Sequence, residues 1–503
     1  MAQLDIPYTF AVSTGDQCRE SDRLTINEFG IDGFTLMETA GLQAAKYISE
    51  IESPGSAGLY FCGKGNNGGD ALVIARYLAI QYSHSCFIYF PAGSENLSTD
   101  AQKNLDLLIK LKEQGLAVYL INKKKNLDKV TADYLVDGLL GTGLDSNLRA
   151  PFDSTVDLIN QYQARKYALD IPTGLHTDTG LPMPDAVHAD YTLSFGALKA
   201  GYYLGKGPSY TGTIQPFNLS FPEKFRKSVA KLITTGIDDF IPSIKRQAEH
   251  KYSDRLLYIV AGSEGLTGAA IMAAASAWKT GAGAVVLISP GGLLEIYEKN
   301  LPGIIKSSVG SRTDLSFNKS HLDEVIETLH SKDGVLLIGP GIGRKENTLD
   351  FVKELLQKTT GNVVIDADAL HVVPEIEKPE NADWILTPHP GEAGKLNGSS
   401  FTTDFDRITW SAGYSTSRNV TVVSKGYPTF VGTPGGTNYL TGYDTRIFAR
   451  AGFGDILAGT ISGNLAITND AELSIVRALL DGYMKAIQFM KEHNEPLEPD
   501  HLL

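Results

Sequence analysis

The feature that most constrains this chain is a short apolar run that recurs along it and ends in glycines with a carboxylate nearby. Residues 59–62 (LYFC) lead into GKGNNGGD at 63–70 and then into the helical pattern ALVIARYL at 71–78. Strand, glycine-rich loop and helix in that order are typical of a nucleotide-binding turn in a parallel sheet. The stretch is neither G-x-G-x-x-G nor G-x-x-x-x-G-K-[ST], because two asparagines and an aspartate stand among its glycines.

The length of 503 residues is too great for one ordinary hydrophobic core, and it predicts two or three domains. Hydrophobic residues make up 42% of the chain and charged residues 20%, as in a globular protein. The formal charge of −13 argues against a nucleic-acid partner, which needs a basic face. It does not argue against a small anionic ligand, because backbone amides bind such a ligand locally.

The cysteines Cys18, Cys62 and Cys86 are scattered, without a C-x-x-C pair. The sequence therefore predicts neither a disulfide framework nor a zinc site. The first residues lack the basic start and long apolar core of a signal peptide, and no apolar run reaches the length of a membrane helix. We expect a cytoplasmic protein with no membrane partner, and we expect it to assemble as a homo-oligomer.

Strand-like and helical segments alternate in both halves, which predicts α/β folding around parallel sheets. In the first half the predicted strands are 59–62, 86–90, 117–121, 134–137, 167–170 and 191–195, with a final extension at 216–221. In the second half they are 255–261, 284–288, 334–338, 363–366, 384–387 and 420–424, with helices at 269–280, 349–358, 454–465 and 471–493. Residues 221–252, which contain Pro222, Pro242 and several charges, are predicted to be a linker.

Three predicted strand ends of the first half carry carboxylates beside glycines: Asn66–Asp70, Asp137–Leu144 and Asp170–Leu175. Such ends meet at one edge of a parallel sheet, so we expect a single crevice whose glycine amides approach a phosphate. The oxygens of Asn67, Asp137 and Thr173 suit a hard cation. Asp170 is then left to act as a general acid or base. Turn and capping chemistry accounts for any one segment alone, but the three together favour a site.

The first half resembles the NAD(P)H-hydrate epimerase family over residues 10–220, through LMETAG at 36–41, NNGGD at 66–70, DGLLGTGL at 137–144 and DIPTG at 170–174. The resemblance implies a Rossmann-like three-layer domain, assigned to residues 1–224, with Asp170 as the catalytic residue. It also implies a potassium ion held by Asn67, Asp137 and Thr173, where serine is the usual third ligand. The implied contacts with the hydrated nucleotide are Asn66, Asn67, Gly68, Gly69, Asp70, Gly141, Thr142, Gly143, Leu144, Asp145, Ser146, Asn147 and Asp170.

Four glycine- or acid-rich segments stand out in the second half: GPGIG at 339–343, DADAL at 366–370, TPHPGE at 387–392 and AGFGDILAG at 451–459. In the last of them, Asp455 opens an apolar helix between glycines. Amides at a helix start stabilise negative charge, and an aspartate there can exchange a proton with a bound hydroxyl. Taken alone, Asp455 could be a helix cap and His389 a turn residue. With the other motifs beside them, we interpret both as ligand contacts.

The second half resembles the ribokinase-like fold and, within it, the ADP-dependent NAD(P)H-hydrate dehydratase family over residues 250–495, and we assign this domain to residues 225–503. The resemblance implies contacts with the hydrated nucleotide at Ala269 or Ala270, Gly341 or Gly343, His389 and Asp455. It implies contacts with ADP at Lys425, Gly426, Tyr427, Pro428, Thr429 and Gly454. Phe453 stands where the family has a small residue, and a phenyl ring there could crowd a phosphate.

The combined prediction is a bifunctional enzyme that repairs hydrated NADH and NADPH. Its second domain would remove water from the S epimer with ADP and accompanying Mg²⁺, using Asp455 as the acid or base. Its first domain would interconvert the R and S epimers through Asp170, with K⁺ bound. One alternative is a small-alcohol kinase, since ribokinase-like folds use the same aspartate to activate a hydroxyl. The other is a first domain that binds without catalysis.

Overall fold

The computed structural model describes residues 11–234, 255–330 and 332–503. The chain forms two compact units: one is Phe10–Lys231, and the other contains Leu232–Leu503. The predicted boundary between residues 224 and 225 lies shortly before this division. No helix among the described residues is both long enough and apolar enough to cross a membrane.

The first unit alternates strands and helices along the chain. Its elements are β1 (Ala11–Ser13), α1 (Gly15–Leu24), α2 (Gly33–Ile51), β2 (Ala57–Cys62), α3 (Asn66–Gln81), β3 (Ser85–Tyr89), α4 (Thr99–Glu113), β4 (Val118–Ile121), β5 (Tyr134–Gly138), α5 (Phe152–Gln161), β6 (Arg165–Leu169), β7 (Tyr191–Phe195), β8 (Leu198–Lys199) and β9 (Thr213–Phe217). Seven strands form a parallel sheet in the order β4-β3-β2-β5-β6-β7-β9. The strand order reverses between β2 and β5, which is where open parallel sheets bind ligands.

The sheet of the first unit is buried on both faces, as the strand β2 shows. Tyr60 and Cys62 belong to one hydrophobic cluster, while Leu59 and Phe61 belong to the cluster on the opposite face. A strand covered on both sides needs no polar alternation, which explains the continuous apolar runs in the sequence. The predicted three-layer fold is therefore confirmed for this unit.

The second unit restarts the same alternation around a larger sheet. Its elements are β11 (Leu256–Val260), α6 (Thr267–Lys279), β12 (Val285–Pro290), α7 (Leu294–Asn300), β13 (Ile305–Val309), α8 (Leu322–His330), β14 (Gly334–Ile338), α9 (Glu346–Lys358), β15 (Gly361–Ile365), β16 (Ala382–Leu386), α10 (Pro390–Asn397), α11 (Asp404–Arg418), β17 (Thr421–Ser424), β18 (Phe430–Gly432), β19 (Tyr439–Thr441), α12 (Phe453–Thr468) and α13 (Ala471–Glu492), after β10 (Ala230–Ile233) at the division between the units. The strand order is β13-β12-β11-β14-β15-β16-β17-β18-β19. Strands β13 to β17 are parallel, whereas β18 and β19 are antiparallel.

Two sequence-based expectations are corrected here. The predicted linker at 221–252 contains the strand β10, in which Ala230, Leu232 and Ile233 are buried and Ala230 pairs with Val12. Residues 235–254 of that linker lie outside the described residues. The final extension predicted at 216–221 is the strand Thr213–Phe217, which adds to the sheet next to β7.

Candidate active sites

The NNGGD motif is the first turn of a helix, not a loop as its glycines suggested. Helix α3 begins at Asn66, and Gly65 caps it without a side-chain hydrogen bond. The first amides of a helix have no acceptor within the helix, and their partial positive charge suits a phosphate oxygen. The motif therefore places a helix N-terminus directly after β2, at the point where the strand order reverses.

The paired glycines of this motif lie in tightly packed positions. A Cβ atom at Gly68 would lie 2.1 Å from the carbonyl oxygen of Gly63, and one at Gly69 would lie 2.6 Å from the Cε atom of Met37. Both distances lie inside van der Waals contact. A side chain at Gly68 would meet backbone and displace the start of α3, whereas one at Gly69 would meet the flexible end of the Met37 side chain. Besides the predicted approach to a phosphate, these glycines therefore allow the close packing of the start of α3.

A buried cluster of oxygen atoms lies where β5 ends. The Asp137 carboxylate accepts hydrogen bonds from the amide of Leu139 (3.2 Å), the amide of Thr173 (2.8 Å) and the Thr173 hydroxyl (2.7 Å). Asn67 Nδ2 donates to the carbonyl of Leu140 (3.0 Å), and the amide of Leu140 donates to the Thr173 hydroxyl oxygen (3.1 Å). The structure thus brings the three predicted cation ligands together.

Two properties of this cluster fit a bound cation. The Oδ1 atom of Asn67 is buried and has no hydrogen-bond partner among the described residues. Burial raises the pKa of Asp137 to about 6, although hydrogen bonds from Thr173 and Leu139 oppose the shift. No basic side chain of the described residues pairs with Asp137, so its carboxylate has no compensating charge of its own. A cation coordinated by these oxygens would supply that charge.

The loop after β5 carries the remaining predicted contacts of the first unit. The Cβ position of Gly141 lies 3.7 Å from Asn67, next to the oxygen cluster. The carbonyl of Thr142 accepts from Arg19 (3.1 Å) and Thr177 (3.3 Å), which tie the loop to neighbouring segments. The other residues of this loop that were predicted to contact the nucleotide are exposed or partly exposed: Gly143, Leu144, Asp145, Ser146 and Asn147.

Asp170 follows β6 in a left-handed backbone conformation, with φ of +64°. Its carboxylate is bound by the ammonium group of Lys199, which is 1% exposed, and by the amide of Phe195 (3.3 Å). Lys199 also donates to Ser194 Oγ (3.3 Å) and to the carbonyl of Phe195 (3.1 Å), while Tyr202 donates to the carbonyl of Asp170. Burial acts to lower the pKa of Lys199, but the charge of Asp170 raises it overall.

Two further carboxyl groups share the electrostatic environment of Asp170. Burial and the charge of Asp170 raise the pKa of Asp22 to about 6, and they raise the pKa of Asp70 well above its usual value. The sequence reasoning missed Asp22 and Lys199. The site thus combines an ion-paired carboxylate with two neighbouring carboxyl groups whose pKa values are raised.

The second unit contains a cavity of about 600 Å³ at the carboxyl ends of its strands. It brings together seven of the predicted nucleotide contacts: His389, Lys425, Gly426, Tyr427, Thr429, Gly454 and Asp455. Pro428, which belongs to the same loop as Lys425 and Thr429, is buried. The segments that line the cavity follow the adjacent strands β15, β16 and β17, because parallel neighbours end at one edge.

Asp455 lies in the first turn of α12, whose N-cap is Gly452. The ammonium group of Lys425 lies 3.2 Å from the Cβ position of Gly454, and it pairs with Asp366 at 2.8 Å. Burial, followed by the charge of Asp366, raises the pKa of Asp455 to about 7, against the lowering effect of Lys425. Asp455 is therefore poised to gain or lose a proton near neutral pH.

His389 combines the two roles that the sequence left open. Its Nδ1 atom accepts from the amides of Gly391 (3.0 Å) and Glu392 (3.3 Å), which caps α10, and its ring lines the cavity. Burial and the charge of Lys425 lower its pKa, so the ring is neutral near pH 7. The cap fixes the tautomer, and Nε2 carries the proton next to the Glu392 carboxylate at 3.4 Å.

The other predicted contacts lie outside the residues that line this cavity. Ala270 is fully buried in the hydrophobic core, whereas Ala269 is partly exposed. The Cβ position of Gly341 lies 3.1 Å from Ala269, and Ser263 donates to the Gly341 carbonyl at 2.9 Å. Gly343 donates its amide to Asp368 (3.0 Å). The turn at 339–343 therefore packs against the start of α6, beside β15.

Phe453 is buried among apolar side chains. It is 5% exposed and clusters with Leu497 and Leu502, and its ring meets that of Phe448 edge-on at 5.5 Å. A Cβ atom at the neighbouring Gly452 would lie 2.8 Å from Met272. The phenyl ring thus anchors the turn before Asp455. Phe453 also lines the cavity, and the predicted crowding of a phosphate stays a prediction.

Two α/β units, each with titratable groups and a helix N-terminus at the carboxyl edge of its sheet, define a two-site enzyme. Residues 33–201 match the family model described as YjeF-related protein N-terminus, and residues 257–503 match that described as NAD(P)H-hydrate dehydratase. The chain belongs to the family of bifunctional NAD(P)H-hydrate repair enzymes, as its motifs predicted.

Two relatives match this chain over most of their own length. The bifunctional NAD(P)H-hydrate repair enzyme Nnr of Salinibacter ruber is 34% identical over 483 residues, which cover 90% of this chain and 88% of the relative. That of Moorella thermoacetica is 31% identical over 465 residues, covering 90% and 87%. A structure of ADP/ATP-dependent NAD(P)H-hydrate dehydratase from Bacillus subtilis is 24% identical and covers 51% of this chain and 90% of that one, with a TM-score of 0.44. The family assignment favours repair over the small-alcohol kinase.

Proposed function

We propose that the second unit dehydrates the S epimer of hydrated NADH or NADPH with ADP, and that the first unit interconverts the R and S epimers. The observation that carries the proposal is Asp455 at the start of α12, beside the Lys425 ammonium group and in a cavity large enough for a nucleotide. The corresponding domains are residues 225–503 and 1–224. Cytoplasmic location and assembly as a homo-oligomer stay predictions.

In the second unit, Asp455 would accept the proton of the substrate hydroxyl as that oxygen attacks the terminal phosphorus of ADP, while the amides at the start of α12 stabilise the charge on the transferred phosphoryl group. AMP would leave, and the phosphate ester would then be eliminated as inorganic phosphate with loss of a proton from the neighbouring ring carbon. The Lys425 ammonium group and the amides of Gly426 and Tyr427 would bind the phosphates of the adenine nucleotide. Among the described residues no group of three or more His, Cys, Asp or Glu side chains forms a metal site. Mg²⁺ would therefore be held mainly by the phosphates, with a cavity carboxylate such as Glu392.

In the first unit, the α3 N-terminus would bind the phosphate of the hydrated nucleotide, and the loop after β5 would contact the rest of it. Asp170 would take the hydroxyl proton as the bond between the hydrated carbon and the ring nitrogen breaks. It would return the proton when the bond re-forms on the other face. Burial and the charge of Asp170 raise the pKa of Asp70, so the protonation of Asp70 would be coupled to that of the reacting carboxylate.

A potassium ion fits the oxygen cluster of Asn67, Asp137 and Thr173, where it would neutralise the buried carboxylate. We expect K⁺ to stabilise the first unit by about 1.4 kcal/mol when its concentration is ten times its Kd. Thermal unfolding should be measured in KCl and in tetramethylammonium chloride at equal ionic strength, together with epimer exchange. Asp137→Asn should abolish the response to K⁺, whereas the exposed control Asp153→Asn should keep it. Identical unfolding curves in the two salts would contradict the site.

The proposed function is tested by giving the purified protein the two hydrate epimers separately, with ADP, Mg²⁺ and K⁺. We expect reduced-nicotinamide absorbance to recover fully from both. Recovery from the S epimer alone, under conditions of slow spontaneous exchange, would contradict the epimerase. No recovery from either epimer with ADP or ATP would contradict the dehydratase.

A further inference from the structure

Arg407 of helix α11 is a buried guanidinium group that neither proposed reaction uses. It is 2% exposed, and its ion-pair partner among the described residues is Asp404, at 3.3 Å, whose side chain is 36% exposed. Burial lowers its pKa in spite of that partner. A buried charge is costly unless hydrogen bonds satisfy it, so the other hydrogen bonds of Arg407 must compensate its burial.

These contacts go to the two ends of one loop. Arg407 Nη1 donates to the carbonyl (3.1 Å) and hydroxyl (2.9 Å) of Ser424, and Nη2 donates to the carbonyl of Pro428 (2.8 Å). The carbonyl of Lys425 lies 3.5 Å from Nη1. One planar group thus holds the carbonyls at both ends of the segment that includes Lys425 and Tyr427, the two larger side chains of the loop that line the cavity.

The middle of the loop lies flat on the same guanidinium group. Gly426 has φ of +144°, and a Cβ atom there would lie 3.2 Å from Arg407 Cζ. The carbonyl of Gly426 accepts from Thr445 (2.5 Å) and Thr429 (3.2 Å). In the described ranges, the amides of Gly426 and Tyr427 make no hydrogen bond. The carbonyls of Gly426 and Pro428 are therefore occupied by protein donors, while two amides are left for an anion.

We propose that Arg407 is a positioning residue for the adenine nucleotide: it holds the loop Lys425–Thr429 so that its amides and the Lys425 ammonium group meet the phosphates. Arg407 itself touches no substrate. The inference rests on the proposed assignment of this loop to ADP. It goes beyond that assignment because it names the side chain, from a different helix, on which the loop geometry depends.

The test uses the full chain with Arg407→Met and Arg407→Lys. We expect Arg407→Met to raise the KM for ADP at least tenfold while the KM for the hydrated nucleotide changes less than twofold, with a smaller ADP effect in Arg407→Lys. Arg418→Met is the matched control, because Arg418 lies on the same helix and donates to the carbonyl of Ile376 (2.7 Å), away from the loop. Epimer exchange in each variant reports on the folding of the other unit.

A second variant covers the case in which Arg407→Met does not fold. Gly426→Ala keeps the guanidinium group but forces the loop away from it, and we expect the same selective rise in the KM for ADP. An unchanged KM for ADP in the folded variants, or an equal rise in Arg418→Met, would overturn the inference while the proposed function stands. If the unaltered protein dehydrates its substrate without an adenine nucleotide, the proposed function is contradicted, and the inference about Arg407 is contradicted with it.

Discussion

Asp455→Asn is expected to lower the rate of dehydration by about 10²–10⁴-fold, the contribution of one positioned acid or base. Asparagine preserves the shape of the side chain at the start of α12 but cannot accept the proton of the substrate hydroxyl. Epimer exchange should be unchanged, because it is carried out in the other unit. The measurement is the recovery of reduced-nicotinamide absorbance from the S epimer, with the loss of the R epimer followed separately by chromatography.

The pH dependence of the same reaction gives an independent check. Asp455 has a pKa raised to about 7, and it acts as a base only when ionised. The kcat/KM for dehydration should therefore rise with pH through about 7 and level off above it. A rate that falls through the same range would identify Asp455 as an acid instead.

A matched control separates these effects from a general loss of stability. Asp323 also lies in the first turn of a helix, α8, and it is exposed. Asp323→Asn should keep the wild-type rate and pH profile. A wild-type rate in Asp455→Asn would remove this residue from the mechanism.

The sheet of each unit could be predicted because its strands are buried on both faces. Such strands appear as uninterrupted apolar runs, like Leu256–Val260, whose alternate residues enter two different core clusters. The carboxylates that follow these runs then fall at one edge, which is why Asn67, Asp137 and Thr173 could be grouped from sequence. Because neighbouring strands pair in parallel, the residues that follow them are brought close together at that edge.

Elements without that pattern were missed. The strand Ile305–Val309 reads IKSSV, and only its last residue is fully buried. The strands Phe430–Gly432 and Tyr439–Thr441 have three residues each, too short to show any periodicity. The first turn of α3 was taken for a loop because two glycines, which weaken a helix, stand there for packing against Gly63 and Met37.

The supporting charges were also missed, although one of them left a signal. Lys199 stands in the apolar segment FGALKAG. A lysine buried with such a run needs a charged or hydrogen-bonding partner, and this need is the signal. The sequence does not say that the partner is Asp170. Arg407 is harder still, because its contacts are mainly main-chain carbonyls of a loop that follows the next strand, and carbonyls carry no sequence signature.

Asp170→Asn is the second change with a large expected effect. We expect epimer exchange to fall by about 10²–10⁴-fold, because the amide cannot take up the hydroxyl proton. The chain should still recover reduced nicotinamide from the S epimer, while recovery from the R epimer falls to the spontaneous rate. The control Asp153→Asn, an exposed aspartate in the first turn of α5, should leave both rates unchanged.

Asp170→Asn also removes the counter-charge of a fully buried lysine, so a loss of exchange alone would not distinguish catalysis from folding. Breaking one partner of a buried ion pair costs about 3–5 kcal/mol, whereas replacing both partners by uncharged groups of similar size is often neutral. The double variant Asp170→Asn with Lys199→Met should therefore regain much of the thermal stability that Asp170→Asn loses. If Asp170 carries the proton, exchange stays lost in the double variant. If the pair is only structural, exchange returns together with stability, and Asp170 has no catalytic role.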